Sequence, residues 1–301
     1  MTGYPNKLKV GDKVAVIATA RVINADAVNT GIKVIREWGL EVVIGKSIYK
    51  HHLLFAGTDD QRLEDLQWAL DDPSIKAVIC ARGGYGTSRI IDGINWSEFI
   101  KNPKWVCGFS DVTALLCHVN SLGIPCLHSS MPQLFKDNPT TEDSESLRRA
   151  LFQQEIFMEG ATCEYNQQGS VEAELIGGNL SILVHLIGTK SDFDASEKIL
   201  FLEEVDEHLY QVDRMMVQLV RSGKISNIAG LVVGHLTKMK EGDLKFGMNA
   251  NGVIRSHLPH PGIPIAFGLP IGHESPNLTI PLGVPCRLEV TESGYSLKSK
   301  Y

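Results

Sequence analysis

What this 301-residue chain lacks narrows its chemistry first. It has no excess of basic charge, since 29 Lys and Arg stand against 35 Asp and Glu for a formal net charge of −6. Phosphate contacts need a basic footprint, so nucleic acid is not an expected partner. No apolar run approaches the ~18 residues of a membrane span, so no membrane is expected either. No apolar h-region follows Met1–Lys7. That predicts no signal peptide and a cytoplasmic location. Cysteine is scarce, and Cys80, Cys107, Cys117, Cys126, Cys163 and Cys286 include no Cys-x-x-Cys pair. A zinc knuckle or redox couple is unsupported, and the thiols read as small hydrophobes in a reducing compartment.

Several familiar motifs are also missing. Gly45-Lys46-Ser47 has the tail of a phosphate-binding loop, but Leu40 stands where the upstream glycine belongs. The turn Arg82-Gly83-Gly84-Tyr85-Gly86 follows a strand pattern, yet Arg89 replaces the last glycine of a dinucleotide fingerprint. Gly-x-Ser-x-Gly and His-Glu-x-x-His occur nowhere. His257 and His260 are three apart without an obvious third ligand, so they read as surface or capping histidines. No metal and no cofactor is expected.

What is present is ordinary globular composition, with 43% hydrophobic and 21% charged residues. The length suggests roughly two domains. Lys13–Ala18 is a continuous apolar run, as in a strand buried on both faces. Val28, Ile32 and Ile35 then fit a helix capped by Asn24 and ended by Gly39. Leu40–Ile44 reads as a strand. Thr58-Asp59-Asp60-Gln61 is a capping box before Leu63, Leu66 and Leu70, and Asp71-Asp72-Pro73 stops that helix. Lys76–Cys80, Trp105–Cys107 and Pro125–His128 are further strands, with a helix over Asp111–Val119. Repeated β-α units predict a parallel sheet with right-handed crossovers.

The middle of the chain is polar and irregular. The reading is a first domain over 1–135, a linker region over 136–170 and a second domain over 171–301. A helix over Leu147–Phe152 remains open within the linker. The second block reads as strands Ile199–Leu202 and Ala229–Val233 around a helix Val212–Val220. A weaker helix over Gly247–Leu258 and a strand over Val284–Thr291 follow.

Some clusters can carry chemistry. Ser110, in Gly108-Phe109-Ser110-Asp111-Val112-Thr113, joins a buried strand to a helix. Open α/β sheets place ligands at such strand ends, and helix N-termini favour developing negative charge. The same position suits a plain helix cap. The Arg82–Gly86 turn can aim backbone N–H groups beside it as an oxyanion hole, or can be only a tight turn. Leu202-Glu203-Glu204-Val205-Asp206-Glu207-His208 is either a surface charge cluster or the source of a carboxylate that orients a histidine. Gly272-His273-Glu274 lies in a Pro/Gly-rich loop, where a solvated histidine and a functional one are both open readings.

Taken in order, these fragments resemble the LD-carboxypeptidases, serine peptidases of murein tetrapeptides whose family includes microcin C self-immunity hydrolases. Ile176-Gly177-Gly178-Asn179-Leu180, Asp213-Arg214-Met215 and Ile280-Pro281-Leu282-Gly283 belong to the same ordered set. The resemblance implies an N-terminal flavodoxin-like parallel sheet, a smaller C-terminal α/β domain and an active site between them. It implies a triad of Ser110, Glu203 and His273. On that footing the oxyanion donors are the N–H groups of Gly84 and Asp111, and Arg82 and Arg214 are candidates for the substrate carboxylate. Two motifs depart from the family. Ala18-Thr19-Ala20-Arg21 stands for the usual Ala-Pro-Ser-Ser, and Leu202-Glu203-Glu204 for Leu-Glu-Asp. The implied activity is removal of a terminal D-alanine from murein tetrapeptide in cell-wall recycling, with a small muropeptide as partner and a homodimer as the assembly allowed. The rivals are a peptide-nucleotide hydrolase of the microcin-immunity type and a non-catalytic muropeptide-binding module.

Overall fold

The computed structural model describes residues 3–135, 141–258 and 262–301. The chain divides into two compact units, one of Met1–Gln154 with Leu278–Leu282, the other of Glu155–Asn277 with Gly283–Tyr301.

The first unit runs β1 (Lys13–Ile17), α1 (Ala25–Glu37), β2 (Glu41–Ile44), α2 (Asp59–Asp71), β3 (Ile75–Cys80), α3 (Ser97–Lys101), β4 (Trp105–Gly108), α4 (Thr113–Ser121), β5 (Cys126–His128) and α5 (Glu142–Gln153). Local chemistry sets the helix starts. Asn24 accepts from the Ala27 N–H, and Thr58 with Gln61 completes the capping box of α2. The strands are apolar because helices cover both faces of the sheet. Val14, Ala15, Val16 and Ile17 are all fully buried.

The second unit contains β6 (Glu155–Ala161), β7 (Gly169–Asn179), α6 (Leu180–Leu186), β8 (Ile199–Val205), α7 (Leu209–Arg221), β9 (Gly230–Thr237), α8 (Ala250–Ser256) and β10 (Ile265–Phe267). The chain then returns β11 (Ile280–Leu282) to the first unit. It ends in the second with β12 (Val284–Val290) and β13 (Gly294–Lys300).

The first sheet has the order β11-β5-β4-β3-β1-β2. Its β2, β1, β3, β4 and β5 pair in parallel, and β11 pairs antiparallel with β5. The parallel part, 2-1-3-4-5, is the flavodoxin-like order. The second sheet, β10-β9-β8-β7-β12-β13-β6, is parallel from β10 to β7 and antiparallel beyond it.

Residues 136–140 of the expected linker lie outside the described residues. The rest is structured. α5 buries Leu147, Ala150 and Leu151 in the first unit, and β6 buries Ile156 and Met158 in the second sheet. α5 is polar on its outer face, and in β6 the exposed Phe157 interrupts the alternation of Glu155, Ile156, Met158 and Glu159. No helix among the described residues is long and apolar enough to cross a membrane. Five of the six thiols are buried, and burial pushes those of Cys80 and Cys286 up to about 12.

Candidate active site

In the first unit, the loops after β1, β3 and β4 stand at the carboxyl edge of the sheet. Ser110 follows β4 as the first residue of a 3₁₀ turn, Ser110–Val112, that leads into α4. It is not a helix cap, because Phe109 holds the cap position of that turn and Val112 that of α4. Ser110 has φ +61°, in the left-handed region that serine rarely adopts. Such a conformation costs on the order of 1–3 kcal/mol and persists only where the surroundings impose it. The Ser110 side chain is half-buried.

The Arg82–Gly86 turn packs directly on this serine. A Cβ at Gly83 would stand 3.3 Å from Ser110 Cβ and 3.4 Å from the Asp111 nitrogen, so the absence of a side chain lets the two turns touch. Gly84 has φ +108°, which glycine alone adopts without strain. Buried Asp111 ties the turns together by accepting the Thr87 N–H at 2.9 Å. Fully buried Arg62 donates to the carbonyls of Thr19 and Gly86, pinning the loops after β1 and β3 to each other. Arg82 donates to the Val22 carbonyl.

In the second unit, β8 delivers the acids. Glu203 and Glu204 are both buried and point apart, as alternation along a strand requires. Glu203 Oε2 lies 2.7 Å from His273 Nδ1. Glu204 faces α6, accepting from Asn179 Nδ2 at 2.9 Å, the Ser181 N–H at 2.7 Å and the Val205 N–H at 2.8 Å. Burial drives the Glu204 carboxyl up to about 7, against the pull of those hydrogen bonds. Asp206 is exposed and pairs with Lys240.

The His273 loop is held by residues that carried no signal in the sequence. Asn277 Oδ1 accepts the Gly272 N–H at 2.9 Å, and His235 Nδ1 accepts the Glu274 N–H at 3.3 Å. Their roles depend on a loop that folds back on the end of β9, which no local pattern announces. Burial lowers the affinity of His273 for a proton. The hydrogen bond to Glu203 and the charges of Glu203 and Glu204 outweigh it, and the net shift is upward. A buried carboxylate on Nδ1 leaves Nε2 as the nitrogen that can take a proton.

Other candidates fall elsewhere. Arg214, on α7, is exposed and lies over the Tyr210 ring at 5.6 Å. His257 bonds Asp213 at 2.7 Å and joins α8 to α7, while His260 lies outside the described residues. No group of residues suited to a metal ion occurs among the described residues. The Gly45–Ser47 turn gives the N–H groups of Lys46 and Ser47 to buried Asp65, so a carboxylate already satisfies it.

Residues 14–129 match the LD-carboxypeptidase N-terminal domain, and residues 172–288 match the LD-carboxypeptidase C-terminal domain. A probable murein peptide carboxypeptidase of Bacillus subtilis is 34% identical over 299 residues, covering 96% of this chain and 92% of that one. The crystal structure of muramoyltetrapeptide carboxypeptidase from Oxalobacter formigenes superposes with a TM-score of 0.87 at 29% identity, over 96% and 99% of the two chains. The microcin C7 self-immunity protein of Escherichia coli is 22% identical over 329 residues, covering 98% and 95%. Two matched domains and a full-length relative above 30% identity place this chain in the LD-carboxypeptidase family, among serine-type hydrolases.

Proposed function

We propose that this protein is a serine carboxypeptidase that hydrolyses the LD-peptide bond of murein tetrapeptide and releases terminal D-alanine. The observation that carries the reading is the buried Glu203 bonded to His273 Nδ1, together with the strained Ser110 on its strand-to-helix turn. In this reading His273 Nε2 takes the Ser110 proton as Oγ attacks the carbonyl carbon. Glu203 holds the imidazole and stabilises its charged form. The N–H groups of Gly84 and Asp111 receive the oxyanion, worth about 10²–10³ in rate per donor. His273 then returns the proton to the leaving amine, D-alanine departs, and water hydrolyses the acyl-enzyme by the same route. Arg82 and Arg214 are the candidates for the substrate carboxylate. Reduced, mostly buried thiols support a cytoplasmic place in cell-wall recycling.

The greater identity to murein peptide carboxypeptidases than to the microcin protein favours a muropeptide over a peptide-nucleotide. Incubation of the purified protein with murein tetrapeptide and with a peptidyl-nucleotide amide tests the choice. Release of D-alanine from the first, with little cleavage of the second, is expected. The reverse preference would move the chain to the immunity type, and no turnover of either would leave a binding module.

A further inference from the structure

The order 2-1-3-4-5 reverses direction at β1 and β3, and open α/β sheets bind ligands at that switch point. Two arginines meet there. Arg21 follows β1 and is exposed, and Arg82 follows β3 and is half-buried. The Arg21 side chain lies across the glycine turn. A Cβ on Gly84 would stand 2.5 Å from Arg21 Cδ and 2.9 Å from Arg21 Cγ. One residue earlier, Gly83 abuts Ser110. Among the described residues neither guanidinium is in an ion pair, whereas Arg62 and Arg89 share Asp59 and Arg148 has Glu145. Arg82 donates to one carbonyl, and its planar fork has five N–H groups. Burial, and then the neighbouring charge of Arg21, holds the Arg82 guanidinium below its ordinary value. Two like charges at a strand edge, with no ion-paired acid among the described residues, are suited to an anion that arrives from outside.

We propose that Arg21 and Arg82 form the subsite for the substrate's free terminal carboxylate, and that Arg21 makes the enzyme prefer a free C-terminus over a blocked one. This rests on the carboxypeptidase reading and gives Arg82 a partner from the same sheet edge in place of Arg214. An exopeptidase needs one anchor beyond the scissile bond. A carboxylate on the leaving residue is the one negative group that every such substrate carries there. Arg21 is exposed, so its replacement leaves the core untouched.

The test compares murein tetrapeptide as the free acid and as its C-terminal amide. The wild-type protein, Arg21→Ala and Arg21→Lys are assayed for kcat and KM on both. Arg21→Ala should weaken kcat/KM for the acid roughly 10- to 100-fold, as expected for a lost charge-assisted hydrogen bond. Most of that should appear in KM, with the amide nearly unaffected. Arg21→Lys should recover part of the preference. Equal losses on acid and amide, or no loss, would overturn the subsite. Calorimetry with Ser110→Ala and Ser110→Ala/Arg21→Ala separates this from the activity itself. If the wild-type protein turns over neither peptide, the carboxypeptidase reading fails. Tighter binding of acid than amide that is lost with Arg21 would still support the subsite, and equal binding would refute it.

Discussion

Ser110 carries the strain at the scale of a single residue. Its φ of +61° puts a serine where glycine is at ease. Replacement by alanine keeps the strain and removes the hydroxyl, while replacement by glycine removes both. Ser110→Gly should therefore be more stable than Ser110→Ala by about 1 kcal/mol, and both should be inactive. Denaturant midpoints of the two variants check this. Equal midpoints would mean that the turn does not resist the left-handed conformation. The sequence put a serine at a strand-to-helix junction but left its role open, because a cap and a nucleophile occupy the same place in a sequence pattern. Backbone dihedrals separate the two, and no residue string encodes them directly. Arg21 was legible only as a departure from a family motif. Its position across Gly84 depends on β1 lying beside β3, a pairing between segments far apart in the chain.

The strand β8 and the elements it meets link chemistry to pH. Glu203 serves His273 on one side, and Glu204 serves the start of α6 on the other. Both His273 and Glu204 hold protons more tightly in the fold than outside it. Their sign is therefore shared: each contributes stability at low pH that is lost as pH rises through its folded value. For Glu204 the window runs from its ordinary value of 4.5 to about 7. Glu204→Gln should flatten the fall in stability across that window, by up to about 3 kcal/mol. It should also lower the midpoint of the pH profile, because the Glu204 charge raises His273. In the wild-type protein kcat/KM should rise with pH through one ionisation above 6.5, the ordinary histidine value. A midpoint below that value, or one unmoved by Glu204→Gln, would contradict the account. The alternation that separates the two glutamates could be read from the sequence. The burial of both could not, since four acids in five positions look like a solvated surface. The stretch that forms α5 and β6 is hard to read for a related reason: α5 is charged on its outer face, β6 exposes Phe157 among its outward residues, and the buried residues are few.

Over the whole molecule, the repeated β-α units of the sequence imply the parallel sheet of the first unit. They could not show that β11 leaves the second half of the chain to pair with β5. A three-residue strand of Ile280-Pro281-Leu282 carries too short a pattern to name a partner. The chain that follows His273 leads into β11, which belongs to the first unit. The proposed mechanism has Ser110 and His273 act as one catalytic group. A double-mutant cycle on kcat/KM for murein tetrapeptide tests it most directly. Residues that work as a unit are grossly non-additive, so one deletion removes what the other would have contributed. Ser110→Ala and His273→Ala should each lower the rate by several orders of magnitude, and the double variant should be no slower than the slower single. Losses that multiply in the double variant would show two independent contributions and would contradict the triad.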